Sequence, residues 1–267
     1  MLTDITLGQY YPGESYIHKL DPRTKILATL IFISSIFLAS TYTAYIVLTV
    51  FVALVVGVSR LPVKLVIQSI KPLWVIILLT FCIHIFSTPG ETLYSWRFIK
   101  ITDMGVQQGV LMSLRLAFLI VVSSLLTFTT SPIVLTDGIE SLLNPFRRIG
   151  VPAHELAMMM TIALRFIPTL LEETDRIMKA QIARGADFQS GNLLKRAKNL
   201  LPLLVPLFIS AFRRADDLAM AMEARCYRGG ENRTRMHQLA FAFRDGTAIA
   251  AVLLLTLALV WVRWRGL

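Results

Sequence analysis

Two arginine-containing tripeptides are the part of this sequence best suited to binding a partner. They are Ala183-Arg184-Gly185 and Ala224-Arg225-Cys226, and each ends a long helical pattern and precedes breaker-rich residues. An arginine side chain offers a planar fork of five N–H donors that suits carboxylates and backbone carbonyls. A single basic residue in the last turn of a helix is also explained by the helix dipole, which it complements by about 0.3–1 kcal/mol. The repetition at two matching helix ends favours the docking of a partner.

Groups that could support catalysis are sparse and poorly spaced. Glu172-Glu173 suggests an intramembrane metalloprotease of the Glu-Glu-x-x-x-Arg type, but the following arginine, Arg176, comes one residue too early. His84 has no second histidine beside it in an apolar segment, and an interfacial or hydrogen-bonded histidine near the outer end of the span is the simpler interpretation. The two cysteines have neither a disulfide nor a metal spacing. We therefore expect no catalytic, cofactor-binding or metal-binding residue in this chain, and no enzymatic activity.

The composition is that of an integral membrane protein. Apolar residues make up 55% of the 267 residues, more than a soluble protein of this size usually carries. The net charge is +10, and 15 of the 27 Lys and Arg residues lie between Arg147 and Arg235. Cytoplasmic segments of membrane proteins are rich in Lys and Arg, so this charge needs no nucleic-acid partner. No cleavable signal peptide and no G-x-x-x-x-G-K-[ST] nucleotide loop is visible, so we expect the spans themselves to direct insertion.

Five apolar segments predict transmembrane helices, at about 25–39, 43–58, 72–86, 109–130 and 246–263. The charge-free stretch 26–59 is too long for one crossing, which needs about 20 residues, so a break is expected at 39–45; one tilted helix is the alternative. Residues 87–107 form a neutral external loop. Lys19, Arg23 and Lys25 predict a cytoplasmic N-terminus by the positive-inside rule. Arg263 and Arg265 then lie outside, against that rule, so either the span count is off by one or the basic middle region dominates.

The predicted fold class is an all-α integral membrane protein with about five spans and two long cytoplasmic or interfacial helices. The expected parts are a membrane domain at 1–130, a cytoplasmic domain at 131–240 without a span-length apolar run, and a transmembrane helix at 241–267. Helical periodicity runs from Pro152 to Arg184, and again from after Asn192 to Arg225, with bends expected at the internal prolines. Both helices are apolar in one half, and methionines at 158–160, 220 and 222 offer adaptable contact surface. Ordinary helix–helix packing is the alternative for these methionines.

Together these features resemble the transmembrane T component (EcfT family) of energy-coupling factor transporters, which are ABC transporters for vitamins and metals. The segments that carry the resemblance are HKLDPRTK (18–25), ALRFIPTLLEE (163–173), AQIARGAD (180–187), AMEARCYRGG (221–230) and RTR (233–235). The resemblance covers essentially the whole chain. One departure is Cys226, where the family most often has glycine, and a left-handed helix cap is less secure on cysteine.

The resemblance implies a scaffold at the plasma membrane that links ATP hydrolysis in two partner ATPase subunits to movement of a substrate-binding S component. It implies docking of the ATPases by the two tripeptides, Ala183, Arg184, Gly185 and Ala224, Arg225, Cys226. It further implies an S-component contact formed by Met158, Met159, Leu164, Leu204 and Phe208. The partners would bind ATP, and the S component would choose the vitamin or other micronutrient. A conventional ABC permease subunit is the alternative, although its usual coupling helix in a Glu-Ala-Ala loop is not found.

Overall fold

The structure is a computed structural model and describes residues 10–96, 99–186, 188, 193–230 and 238–265. The RTR segment at 233–235 therefore lies outside the described residues. The chain divides into two compact units. The first unit comprises the described residues within 8–138 and 237–267, and the second comprises those within 139–236. The predicted membrane and cytoplasmic domains were defined by their expected position relative to the bilayer, whereas these two units are defined by contacts within the chain. The predicted domain boundaries therefore stay predictions.

The first unit contains most of the helices expected to cross the membrane. In chain order they are α1 (Pro22–Leu38), α2 (Tyr42–Ser59), α3 (Val63–Ile70), α4 (Trp74–Ser87), α5 (Asp103–Thr129) and α9 (Phe243–Arg265). A 3-10 turn at Lys71–Leu73 joins α3 to α4. Helix α6 (Pro132–Leu143) crosses from the first unit into the second. The all-α fold class is confirmed.

The loop between α4 and α5 contains a short antiparallel hairpin that the sequence analysis did not predict. Its strands are β1 (Thr92–Trp96) and β2 (Ile99–Thr102), with Tyr94 opposite Ile101 and Trp96 opposite Ile99. At four and five residues the strands are too short for the period-two pattern to stand out from the surrounding loop. The hairpin leaves the helical architecture unchanged.

Helix α1 begins and ends where local residue chemistry requires. Asp21 is its N-cap and accepts a hydrogen bond from the backbone N–H of Arg23 at 2.9 Å, while Pro22 occupies the first helical turn. The chain leaves the helix at Ala39 in an extended conformation, and α2 starts at Tyr42. The predicted break within 39–45 is confirmed, and the single tilted helix is wrong.

Helices α1 and α9 run parallel, with their N-terminal ends together. The buried carboxylate of Asp245 accepts hydrogen bonds from the backbone N–H groups of Asp21 and Ala242, both at 2.8 Å. Further along the pair, the Ser35 and Thr256 hydroxyls lie 2.7 Å apart. The starts of α1 and α9 therefore face the same side of the membrane, as the predicted odd number of crossings requires.

Lys25 has a structural position that the charge pattern did not predict. It was expected as a membrane-flanking charge, but it is buried, and its ammonium donates to the carbonyls of His18 at 3.1 Å and Thr129 at 2.9 Å and to the Thr130 hydroxyl at 3.2 Å. Thr129 is the last residue of α5, where a positive charge complements unpaired carbonyls. Lys25 therefore fastens the end of α5 to the start of α1.

Five described helical segments are long and apolar enough to cross a membrane, which matches the predicted number but not every member. They are α2, the α3–α4 segment Val63–Ser87, α5, α9 and a helix of the second unit, α7 (Ala153–Ala183). The sequence analysis expected no uninterrupted apolar run within 131–240, and α7 has none, since Glu155 and Arg165 lie in its first half. It reaches the threshold by length and mean hydropathy, because most of its charges lie in its second half. Helix α1, predicted as a span, has 17 residues and a length of about 26 Å.

The second unit is built on two long helices. Helix α7 has 31 residues, and α8 (Leu193–Ala224) has 32, so each extends roughly 45–50 Å. Their observed bounds confirm the predicted periodic segments. Both helices continue through their internal prolines, Pro168 in α7 and Pro202 and Pro206 in α8. A 3-10 segment at Asn144–Ile149 connects α6 to α7.

Candidate partner-docking site

The C-terminus of α7, with Ala183-Arg184-Gly185, forms the first tip of the candidate site. Arg184 is the C-cap, and Gly185 follows at φ +87°. The N–H of Gly185 donates to the carbonyl of Ile182 at 2.9 Å, and the N–H of Ala186 donates to that of Gln181 at 3.0 Å. This pair of bonds is a Schellman motif, which satisfies helix-end carbonyls and requires a left-handed residue after the cap. The predicted helix end at Arg184 with Gly185 as the capping glycine is confirmed.

The C-terminus of α8, with Ala224-Arg225-Cys226, forms the second tip and repeats the same geometry. The N–H of Cys226 donates to the carbonyl of Glu223 at 2.8 Å, and the N–H of Tyr227 donates to that of Met222 at 3.0 Å. Cys226 has φ +55°, so it takes the left-handed conformation that Gly185 takes in the first tip. The substitution of cysteine for glycine therefore keeps the cap but adds a conformational cost, because a Cβ disfavours this region.

Both tips are exposed along all three of their residues. Among the described residues, neither the Arg184 nor the Arg225 guanidinium forms an ion pair or a side-chain hydrogen bond. Each guanidinium therefore has its donors available for carboxylates or carbonyls of another molecule. The small alanine before each arginine leaves room for a surface to approach the helix end closely.

The two tips lie at opposite ends of the α7–α8 pair. The Tyr227 hydroxyl, just beyond the second tip, donates to the sulfur of Met158 near the start of α7 at 2.9 Å. Midway along, Arg214 of α8 forms an ion pair with Glu173 of α7 at 2.8 Å. These contacts make the helices antiparallel. Because Arg184 follows Met158 by 26 residues, the tips are separated by roughly 40 Å along α7.

A polar network holds the second tip against the start of α7. The Tyr227 hydroxyl lies 3.3 Å from Nε2 of His154, and Nδ1 of His154 lies 3.0 Å from a carboxylate oxygen of Glu140 in α6. Gly230 lies against the same imidazole, and a Cβ there would come within 2.5 Å of the His154 ring. Sequence reasoning missed this network, since its members come from three separate helices or helix ends and form no motif.

The five residues proposed to contact an S component differ in accessibility. Met159, Leu204 and Phe208 are 57%, 46% and 62% exposed, whereas Met158 and Leu164 are half-buried. Met158 also accepts the hydrogen bond from Tyr227, so its sulfur has an internal role. On α8 the exposed apolar side chains continue at helical spacing from Leu201 to Phe212. The three exposed members therefore belong to a larger apolar face.

Groups that could hold a metal are scattered in the described part of the chain, which contains no cluster of three or more His, Cys, Asp and Glu side chains. Nδ1 of His84 lies 2.8 Å from the Thr80 carbonyl, so the interpretation as a hydrogen-bonded histidine is confirmed. Glu173, one member of the suggested protease pair, is bound to Arg214. The candidate site is therefore built from the two tips and not from these scattered groups.

Comparison with known proteins adds evolutionary information to this geometry. The family described as cobalt transport protein (CbiQ) matches residues 13–236. The chain is similar to proteins named energy-coupling factor transporter transmembrane protein EcfT. It is 66% identical to that of Acidaminococcus fermentans over 99% of this chain and 98% of the relative, and 55% identical to that of Clostridium kluyveri over the whole of both. Identity to the Bacillus subtilis protein is 47%, over 98% of this chain and all of the relative. This chain belongs to the EcfT family.

As a member of the EcfT family, the chain is a multi-pass transmembrane component of an energy-coupling factor transporter. The fold agrees with this membership, since the described residues contain five helical segments able to cross a membrane. All six residues that the family resemblance assigned to partner docking lie at the two capped helix ends. The sequence contains only a partial signal for the polar network around His154. The short interval from the second tip to Gly229-Gly230 indicates a sharp turn, but it does not indicate its partners.

Proposed function

We propose that this EcfT-family protein is the coupling subunit of an importer for vitamins or other micronutrients. The first and second tips dock one ATPase subunit each, and the apolar face of α7 and α8 holds a substrate-binding S component. The chain itself binds no nucleotide and performs no catalysis, since the ATPase subunits supply the energy. The S component selects the cargo.

The observation that carries this proposal is the duplicated helix end. Two Schellman caps of the same geometry present Arg184 and Arg225 to solvent. The tips are separated by roughly 40 Å along α7, a distance that one small groove cannot span. Two equivalent tips at opposite ends of one helix pair are suited to two separate and similar partners. Arginine enrichment at the centre of protein interfaces gives each tip the character of a binding hot spot.

The exposed apolar face supports the proposed S-component contact. Met159, Leu204 and Phe208 belong to it, and α8 adds further exposed side chains up to Phe212. A contiguous apolar surface of this kind is stable only against lipid or another protein. Unbranched methionine side chains can repack against partners of different shape, which suits a scaffold that serves more than one S component.

The proposed mechanism transmits motion through the α7–α8 pair. ATP binding and hydrolysis change the distance between the two ATPase subunits, and the tips move with them. The ion pair between Arg214 and Glu173 and the bond from Tyr227 to Met158 couple the helices to each other, so relative movement of the tips changes how they cross. The S component on their apolar face is thereby tilted and releases its cargo inward.

The proposed orientation has the starts of α1 and α9 in the cytoplasm. Lys19 and Arg23 lie at this end of the first unit, and Arg60 lies at the matching end of α2, so positive charge is concentrated here. The C-terminus after Arg265 is then extracellular. A C-terminal alkaline phosphatase fusion, which is active only outside the cytoplasm, should be active. An active cytoplasmic reporter at the same position would reverse the orientation.

Charge reversal at the tips tests the docking. The complex is expressed with Arg184→Glu, Arg225→Glu or both, and co-purification of the ATPase subunits and substrate uptake are measured. Loss of a buried charged contact costs about 2–5 kcal/mol, so each single variant should weaken ATPase binding at least thirtyfold and the double variant should abolish uptake. Arg165→Glu and Arg213→Glu are matched controls, because both are exposed arginines away from the tips of the same helices.

The outcomes separate the parts of the proposal. Full assembly and uptake in the double variant would refute docking by the tips. Retained ATPase binding with loss of the S component in Phe208→Asp would place the S component on α8 as proposed, whereas unaffected S-component binding would remove it from this face. Uptake by the chain and ATPases without any S component would instead favour a conventional ABC permease.

A further inference from the structure

The first unit contains a largely apolar cavity of about 470 Å³ that the coupling function does not use. Its walls come from α1, α2, α5 and α9, and include Phe32, Phe51, Leu125 and Val252. Its volume is within the range of about 300–1,000 Å³ that is typical of sites for small ligands. The cavity is partly open, and its lining is almost entirely hydrocarbon, so the part of a ligand that lies in it must be apolar.

A basic hollow adjoins this cavity at the end where α1 and α9 begin. The two spaces share Tyr16 and Val58, and the hollow is further lined by Lys19, Arg60 and Arg244, with Glu14 as its single acidic residue. Glu14 lies 3.5 Å from Lys19 and is 92% exposed, so it offsets that lysine only. Within the described part of the chain, the Arg60 and Arg244 guanidinium groups have no ion-pair partner. The hollow therefore carries uncompensated positive charge.

The fold fixes the backbone of both arginines at the hollow and leaves their side chains exposed. Arg60 is the C-cap of α2 at φ +52°, and its N–H closes the helix onto the Gly57 carbonyl at 3.3 Å. The Tyr16 hydroxyl donates to the Arg244 carbonyl at 3.2 Å and lies 2.6 Å from the Thr247 hydroxyl. Tyr16 therefore fixes the start of α9 at the border between the hollow and the cavity.

Lys25 lines the cavity but is not available to a ligand. Its three N–H donors are matched by three acceptors of the protein, the carbonyls of His18 and Thr129 and the hydroxyl of Thr130. An ammonium has no further donor. Any anionic group is therefore expected at Arg60 and Arg244, outside the apolar space, while the cavity accepts only hydrocarbon.

We propose that this site binds one anionic glycerophospholipid, with an acyl chain in the cavity and the headgroup phosphate against Arg60 and Arg244. The adjacency of a hydrocarbon-lined cavity and a basic hollow matches the two halves of such a lipid. A basic pocket between transmembrane helices is suited to an anionic headgroup, and arginine binds phosphate oxygens through paired N–H donors. The assignment is independent of ATPase docking, because every residue of the site belongs to the first unit.

Lipid titration of the purified full-length chain tests the proposal. Binding of phosphatidylglycerol and of phosphatidylcholine with the same acyl chains is measured by native mass spectrometry from detergent. Phosphatidylglycerol should bind more tightly to the unaltered chain by at least tenfold. Equal affinity for the two lipids would overturn the headgroup assignment without the need for any variant.

The arginine variants locate the headgroup. Each basic residue near a membrane surface favours an anionic lipid by about fivefold, so R60Q with R244Q should lower phosphatidylglycerol affinity roughly thirtyfold and phosphatidylcholine affinity much less, because choline already offsets the phosphate charge of that lipid. Lys64→Gln is the matched control, since Lys64 is an exposed cation close to Arg60 but outside the hollow. A similar loss in the control and the double variant would show a general surface charge effect and refute the site.

Two further measurements identify the source of the phosphate and the position of the acyl chain. Ala251 lines the cavity from the accessible face of α9, so Ala251→Phe should fill part of it and weaken both lipids at least fivefold. Unchanged binding in this variant would remove the acyl chain from the cavity. Inorganic phosphate at millimolar concentration should not displace the lipid; displacement would identify a site for free phosphate instead.

Discussion

Because Cys226 has a left-handed conformation, a single substitution at this position should change the stability of the second helix cap. Cys226 and Gly185 occupy the same position in two Schellman motifs, at φ +55° and φ +87°. A left-handed conformation costs a residue with a Cβ roughly 1–2 kcal/mol, whereas glycine adopts it freely. Glycine also loses more conformational freedom on folding, by about 0.5–1 kcal/mol. Cys226→Gly should therefore stabilise the second cap by about 0.5–1 kcal/mol net, and Gly185→Ala should destabilise the first cap by a similar amount.

Hydrogen exchange of the capping amides measures both effects directly. The N–H of Tyr227 closes the second cap on Met222, and the N–H of Ala186 closes the first cap on Gln181. A change of about 0.5–1 kcal/mol in local opening alters the exchange rate two- to fivefold, slower at Tyr227 in Cys226→Gly and faster at Ala186 in Gly185→Ala. The Gly185 position is suitable because a Cβ there meets no atom within 4 Å, so only the backbone conformation is tested.

Cys226→Ala is the control that separates the backbone from the thiol. Alanine carries a Cβ and pays the same left-handed cost, so Tyr227 exchange should stay within twofold of the unaltered chain. The reasoning is refuted if Cys226→Gly exchanges as fast as Cys226→Ala, or if Gly185→Ala leaves Ala186 unchanged. Either result would mean that the left-handed residue does not limit the stability of the cap.

Two further predictions concern packing inside each unit. Asp245→Ala leaves two backbone N–H groups without their buried acceptor, which should cost about 2–4 kcal/mol and lower the midpoint of thermal unfolding in detergent. Asp245→Asn retains an acceptor oxygen and should lower the midpoint less. Equal midpoints for the two variants would contradict the hydrogen-bonding role of Asp245. Gly230→Ala places a Cβ 2.5 Å from the His154 ring and should destabilise the second unit by about 1–3 kcal/mol. Gly246→Ala, where a Cβ meets nothing within 4 Å, is its control; matching protease sensitivity of the two variants would exclude the packing effect.

Features fixed by neighbouring residues could be predicted from the sequence. The Asp21-Pro22 pair predicted the start of α1, and Gly185 predicted the end of α7, because capping depends on residues within one turn. Hydrophobic periodicity likewise predicted the bounds of α7 and α8, where the apolar positions recur over about 30 residues. These local rules are sufficient to place the six residues proposed for docking on helix ends without any contact between helices.

Contacts between distant residues could not be predicted in the same way. Lys25 belongs to a group of basic residues beside an apolar segment, so the positive-inside rule assigned it to the membrane surface. In the structure it is buried and donates to the carbonyl of Thr129, which lies 104 positions away in the sequence. Asp245 and Asp21 are separated by 224 positions and pair only when α1 and α9 lie parallel. Tertiary partners of this kind change the meaning of a charge without changing its local pattern.

The two caps show why residue type alone is an incomplete guide to the geometry of the candidate docking site. Cys226 was expected to make a left-handed cap less secure, yet the backbone at this position matches that at Gly185. The cost is offset where Tyr227, the next residue, is held by His154 and Met158. This anchoring holds the chain immediately after the cap. The first tip has glycine in the cap and needs no such support, so the shared geometry of the tips arises from local backbone freedom in one and from tertiary contacts in the other.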